Sequence, residues 1–154
     1  MRGPLLFCLF IFLYSCTETA IFESKIEIPE ATWSYQYVPS FTVPVKDTSQ
    51  RQDLHLELNH SADFGYENLY LKIKTEFPNG DIKDEQLSID LADGFGKWIG
   101  SCKKENCLIK IYLLESFKFA EPGDYKFSFE QYSREDQLKG IRSLNFKITP
   151  SISQ

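Results

Sequence analysis

From Trp33 onward apolar residues recur at every second position, the period of a strand with one buried face. In Phe41-Thr42-Val43-Pro44-Val45 the odd positions are apolar, and Pro44, which cannot donate to a ladder, marks an edge strand. Leu54, Leu56 and Leu58 alternate with His55, Glu57 and Asn59, and Leu69, Leu71, Ile73 and Phe77 alternate with Tyr70, Lys72, Lys74 and Glu76. Asn79-Gly80 then supplies the residues of a tight turn, so a hairpin is predicted to return through Leu87, Ile89 and Leu91. Ile109, Ile111, Leu113, Phe117 and Phe119 continue the pattern; after the turn Glu121-Pro122-Gly123-Asp124 it resumes at Tyr125, Phe127, Phe129 and Gln131, and it ends with Leu144, Phe146 and Ile148. Only Ser133–Lys139 has the makings of a helical turn. The three glycines and two large aromatics of Ala92–Gly100 predict a structured loop with its rings tucked inward.

Strands of this kind must each cover an apolar face with another sheet. The chain is therefore read as all-β, an antiparallel β-sandwich of about seven to nine strands, immunoglobulin-like or jelly-roll-like, with a small closed barrel as the alternative. No internal repeat or low-complexity tract interrupts it.

The first sixteen residues follow a different rule. Arg2 precedes an apolar run from Pro4 to Tyr14, which gives way at Ser15-Cys16 to polar Thr17-Glu18-Thr19. This is the plan of a secretory signal peptide. The run is shorter than the roughly 20 apolar residues that span a bilayer. Leu13-Tyr14-Ser15-Cys16 also resembles the lipobox of a bacterial lipoprotein, which implies cleavage before Cys16 and its lipidation; an ordinary signal peptide cut a few residues later is the alternative. The expected organisation is signal peptide 1–15, lipidated tether 16–32 and β-sandwich domain 33–154.

Cleavage removes only Arg2 among the charged side chains and takes the formal net charge from -5 to about -6. An acidic chain without a basic patch lacks what phosphate backbones require, so a nucleic-acid partner is not expected. Cys8 leaves with the signal peptide, which leaves Cys102 and Cys107 either as an export-compartment disulfide or as two free thiols.

Little points to catalysis. His55 and His60 are five residues apart on one strand, which aims them at opposite faces; both are expected at the surface, with no shared metal. Two cysteines and two histidines at these spacings match no familiar zinc pattern. Asp90 with Asp93, and Asp124 with Glu130, are the carboxylate pairs a hydrolase would draw on, but acidic residues at strand ends ordinarily cap turns or face water. No cofactor is expected. The aromatics off the apolar phase are the better lead: Tyr66, Tyr70, Tyr112 and Tyr132, together with Trp98, form the candidate interaction surface. Burial within the sandwich is the competing reading for some of them. A glycan or cell-wall ligand stacking on a Phe95/Trp98 platform is the alternative to a protein partner.

Tyr66–Leu71, Leu91-Ala92-Asp93, Gly96–Gly100, Phe119–Phe127, Glu130-Gln131 and Arg134–Ile141, in this order behind a lipoprotein signal, resemble the gliding-motility lipoprotein GldH family of Bacteroidetes. Ser133, Ser143-Leu144-Asn145 and the Cys102/Cys107 pair depart from the family pattern. The resemblance implies a membrane-anchored, non-enzymatic accessory of the envelope machinery that moves surface adhesins, with links to type IX secretion. Its partners would be the bilayer, through Cys16, and other envelope proteins. The stretch after Cys16 has no strong acidic run, which favours the periplasmic face of the outer membrane.

Overall fold

A computed structural model describes residues 19–151. Among them eleven strands form: β1 (Phe22–Glu27), β2 (Thr32–Ser34), β3 (Ser40–Val45), β4 (Gln52–Ser61), β5 (Asn68–Glu76), β6 (Ile82–Asp90), β7 (Ser101–Lys103), β8 (Asn106–Phe117), β9 (Gly123–Gln131), β10 (Gln137–Lys139) and β11 (Ile141–Pro150). One 3-10 turn, Pro29–Ala31, separates β1 from β2. The count exceeds the expected seven to nine because β2, β7 and β10 are three-residue pieces with no alternation long enough to read in a sequence. Among the described residues no helix is long and apolar enough to cross a membrane.

Every ladder is antiparallel, and the architecture is a β-sandwich rather than a barrel. One sheet has the order β1-β11-β4-β8-β7 and the other β3-β9-β5-β6, while β10 and β2 make a separate two-stranded ribbon. Pro44 does lie on an edge strand, β3. The Asn79-Gly80 hairpin joins β5 to β6, with Gly80 at φ 89°, a left-handed angle that glycine adopts without a Cβ penalty.

Alternation fills the space between the sheets. Leu54, Leu56 and Leu58 of β4 and Leu144 and Phe146 of β11 meet Phe41 of β3, Leu69 and Leu71 of β5 and Phe127 and Phe129 of β9, all buried. The Phe146 ring is the hub, with centroids 5.0 Å from Phe127, 5.5 Å from Phe41 and 5.7 Å from Phe129. Such tilted pairs add to the area term that drives the sheets together.

Two assignments are corrected. The tether expected over 16–32 is too long, because Phe22–Glu27 pairs along its whole length with β11, from Phe22 opposite Ile148 to Glu27 opposite Ser143. Its apolar residues are spaced by charges at Glu23, Lys25 and Glu27, which reads as tether composition, yet Phe22 and Ile26 pack against the core. The helical turn expected within Ser133–Lys139 is instead a loop followed by β10, whose Leu138 opposes Trp33 of β2; both side chains are buried.

The two ends of the sandwich differ. β9 starts at Gly123, opposite Val45, and runs about 27 Å at a strand's rise to Gln131, opposite Leu71. The starts of β1 and β4 and the end of β11 lie at the Gly123 end; the end of β4 and the start of β5 lie at the Gln131 end.

Candidate functional site

The Gln131 end gathers most of the aromatics that stand off the apolar phase. Tyr132 follows β9, and its N–H donates to the Tyr70 carbonyl at 3.1 Å, which brings the two rings to 5.7 Å. Asn68 Nδ2 donates to the Tyr70 hydroxyl at 3.2 Å. Tyr66, in the loop before β5, stacks edge-on against Phe64 at 5.6 Å and hydrogen-bonds Glu135, which raises its phenol pKa. Tyr35, which the sequence reading passed over, joins them: its hydroxyl donates to the Ser133 carbonyl at 2.5 Å and its N–H to Asp136 Oδ1 at 3.0 Å. No periodic signal marks Tyr35, because it lies in a turn after a three-residue strand. Tyr35, Tyr66 and Tyr132 are exposed and Tyr70 is half-buried.

A buried glutamine shapes this surface. Gln131 occupies an inward position, with its Nε2 donating to the carbonyls of Asp136 at 2.9 Å, Glu135 at 3.2 Å and Trp33 at 3.3 Å. Its Oε1 accepts from the Ser133 N–H at 3.0 Å. One side chain thus ties the 132–136 loop, which accepts and holds Tyr35, to β2.

Trp98 lies at the same end and is packed down. Its indole N–H donates to the Ala62 carbonyl at 3.0 Å, and its ring meets His60 edge-on at 4.7 Å. Phe95 instead stands 98% exposed, so the inward tuck expected for this loop holds for Trp98 and not for Phe95. A joint Phe95/Trp98 platform is not formed. Asp93 explains the loop: its Oδ1 accepts from the Phe95 and Lys97 N–H groups at 2.9 and 3.0 Å, which lowers its pKa.

Both histidines correct the surface expectation, since His55 and His60 are buried. They do point to opposite faces. His60 shares the inner phase of Leu54, Leu56 and Leu58, between Trp98 and Phe64. Its Nδ1 lies 2.9 Å from the Ser61 carbonyl, which can only accept, so Nδ1 carries the proton and Nε2 is left as an acceptor with no hydrogen-bond partner. Burial lowers its pKa against a smaller opposing effect of that hydrogen bond. His55 lies on the outer face beside Tyr112, ring centroids 5.8 Å apart.

Tyr112 is therefore separated from the other tyrosines. It sits 51% exposed on the outer face of the five-stranded sheet, with Lys110 Nζ 4.8 Å from its ring centroid. The same face carries Lys147 between Glu23 and Glu57, each at 3.1 Å. Burial would lower the Lys147 pKa, but the hydrogen bonds and charges of the two carboxylates outweigh it and raise it.

The acidic pairs do not assemble a hydrolytic site. Asp124 opposes Pro44 at the Gly123 end, while Asp90 opposes Asn68 at the other. Glu130 pairs across the ladder with Lys72, Nζ to Oε2 4.0 Å. Asp90 and Asp93 border one open cleft with Tyr66 and Asn68, but Asp93 is held ionised by turn N–H groups, the reverse of what a general acid needs. Among the described residues no three His, Cys, Asp or Glu side chains converge as a metal would require. Cys102 and Cys107 face each other across the β7–β8 hairpin and are joined as a disulfide, with Cys107 buried beside His60's strand. Cys16 lies outside the described residues.

Most of the blocks that carry the family resemblance, Tyr66–Leu71, Leu91–Gly100 and Glu130–Ile141, converge at the Gln131 end. A family profile described as GldH lipoprotein matches residues 20–148. The chain is similar to the gliding motility lipoprotein GldH homolog of Christiangramia forsetii, 27% identical over 158 residues covering 94% of this chain and 96% of that protein. It is likewise similar to the gliding motility lipoprotein GldH of Flavobacterium johnsoniae, 28% identical over 145 residues covering 90% and 89%.

Proposed function

Because the chain belongs to the GldH lipoprotein family, we propose that it is a non-enzymatic accessory of the gliding-motility machinery, held in the cell envelope by lipid on Cys16 and binding other envelope proteins. The observation that carries this reading is the family match, which runs through nearly the whole folded domain and not a single strand or loop. The relatives are named as gliding motility lipoproteins, and the Leu-Tyr-Ser-Cys sequence supplies the acceptor such a name calls for.

The division of the sandwich supports the binding role. The first strand among the described residues begins six residues beyond Cys16, at the end opposite the tyrosine cluster. A domain anchored there presents Tyr35, Tyr66, Tyr70 and Tyr132 away from the lipid, and tyrosines suit protein interfaces because each offers an apolar ring and a polar tip. We place the domain on the periplasmic face of the outer membrane, where a motility or type IX secretion partner meets that end. No catalytic role is assigned: Asp93 holds its own turn, His60 is packed against Trp98, and Cys102 and Cys107 form a cross-link.

The test is fractionation of a full-length Cys16→Ala protein. It should fold as the parent does yet leave the membrane fraction, because the acyl anchor is the sole attachment proposed. Retention in salt-washed membranes would count against the anchor. In-cell crosslinking and purification of the parent should then recover motility or secretion components; recovery of glycan alone would favour a cell-wall-binding module.

A further inference from the structure

Phe95 stands almost wholly in solvent, whereas the next most exposed large apolar side chain among the described residues, Ile82, is 57% exposed. The backbone beneath Phe95 is nonetheless held. The Asp93 N–H donates to the Lys97 carbonyl at 2.8 Å and the Gly96 N–H to the Asp93 carbonyl at 2.9 Å; with the two bonds that Asp93 Oδ1 accepts, they close residues 93–97 into an arch. The foot of the arch is fastened to the domain. Leu91 and Ala92 both donate backbone N–H groups to the Glu67 carbonyl, at 2.7 and 3.1 Å, Ala92 bridges to Trp98, and the Trp98 indole reaches the Ala62 carbonyl. A large ring is thus displayed at the tip of a fixed loop, where it adds nothing to the core.

The open cleft at the foot of the arch is lined by Tyr66, Glu67, Asn68, Asp90 and Asp93, with no Lys or Arg among its lining residues. The Glu67 carboxylate reaches the arch itself, since a Cβ added at Gly96 would lie 3.4 Å from its Oε1. An apolar ring and a negatively charged rim therefore stand side by side, at the end of the sandwich that carries the tyrosine cluster. Three surfaces could cover such a ring. The bilayer that would hold Cys16 lies at the opposite end of the domain. A second copy of the chain would set two carboxylate-lined clefts against each other, and like charges brought face to face oppose association. A different protein, with an apolar pocket rimmed by Lys or Arg, complements both the ring and the rim.

We propose that Phe95 is the anchor by which this domain docks on its envelope partner, entering an apolar pocket of that protein while Lys or Arg side chains at the pocket rim face Glu67 and Asp90. The assignment rests on the partner-binding reading and names the chemistry of the partner. A few aromatic anchors seated in desolvated pockets carry most of the affinity of a protein interface. A loop already ordered in the free domain loses little conformational entropy when it docks, so the arch is built to present such an anchor. The carboxylates contribute orientation and rate of association more than affinity.

A benzophenone amino acid placed at position 95 of the full-length protein would be irradiated in cells and the cross-linked peptides sequenced by mass spectrometry, with the same group at positions 66 and 132 for comparison. The expected product joins position 95 to an apolar segment of a different protein with Lys or Arg beside it. Binding of that protein, once purified, to the full-length chain should weaken about tenfold or more in Phe95→Ala, at an unchanged unfolding midpoint. It should lose most of its salt dependence in a Glu67→Gln/Asp90→Asn variant, in which Asp93 is kept because it holds the arch. A product with phospholipid, with a second copy of the chain or with an acidic surface overturns the assignment, as does a Phe95→Ala protein that binds like the parent. Salt dependence unchanged in Glu67→Gln/Asp90→Asn overturns the basic rim. Products from positions 66 and 132 but none from 95 overturn the Phe95 contact and leave the partner-binding end standing, whereas none from any of the three overturns both.

Discussion

His60 and Gln131 are polar side chains at inward-facing positions, and each is held there differently. Gln131 satisfies its amide within the 132–136 loop and β2, so its loss strands several carbonyls and a backbone N–H at once. A Gln131→Leu protein should lose about 1–3 kcal/mol of stability in urea unfolding. It should also release the loop that positions Tyr35 and Tyr132, seen as faster proteolysis around Arg134. His60 is packed rather than satisfied, with Nε2 unpartnered between Trp98 and Phe64. Burial holds its folded-state pKa below the ordinary value of 6.5. The unfolded chain therefore takes up the proton first, and stability is full above that value and declines as pH falls below it. Comparing unfolding free energies at about pH 7.5 and about pH 5.5 should show this decline in the parent and a smaller one in His60→Leu. Equal declines would mean that other groups carry the dependence. Neither role was legible beforehand: Gln131 sat in an apolar phase as an oddity, and His60's phase was clear but not that Trp98 and Phe64 would close over it.

The strands show where alternation is sufficient and where it is not. The long ladders of β4, β5, β9 and β11 and the Asn79-Gly80 hairpin follow from period two and from turn chemistry, since nine or ten residues with one buried face leave a single workable register. β1 escaped because its outward positions are charged on an edge strand, the same device by which sheet edges avoid sticking to other chains. β2 and β10 escaped because three residues carry no period; their pairing sets Leu138 opposite Trp33, both buried. The β7–β8 hairpin needs help of another kind. Lys104 stands at its turn with φ 54°, an angle side chains disfavour, and Gly100 approaches so closely that an added Cβ would lie 2.3 Å from the Leu108 carbonyl oxygen. The Cys102–Cys107 cross-link closes this short ring, and on chain-entropy grounds Cys102→Ser should lower stability by about 2 kcal/mol. Full alkylation of both thiols in unreduced protein, or an unchanged unfolding midpoint in Cys102→Ser, would remove the cross-link from the account.

At the scale of the molecule, the start of β1, which follows the proposed anchor in the chain, and the tyrosine cluster fall at opposite ends of the sandwich. Photo-crosslinkers placed at Tyr132 or Tyr66 should capture envelope proteins in cells, while one at Tyr112, on the outer face of the other sheet, should capture few. Equal yields from the two faces would dissolve the idea of a dedicated end. None of the four tyrosines first singled out is fully buried, yet the structure brings only Tyr66, Tyr70 and Tyr132 together and adds Tyr35. The chain by itself determined the all-β class, the long strands, the turn at Asn79-Gly80, the signal-like leader and the family likeness, because periodicity, turn chemistry and motif order are local and written in neighbouring residues. Tertiary structure alone decided that β1 belongs to the sheet, that His60 and Trp98 pack together, and that one glutamine organises the tyrosine loop. Each of those depends on residues distant in sequence meeting, which is settled only once every strand has found its partner.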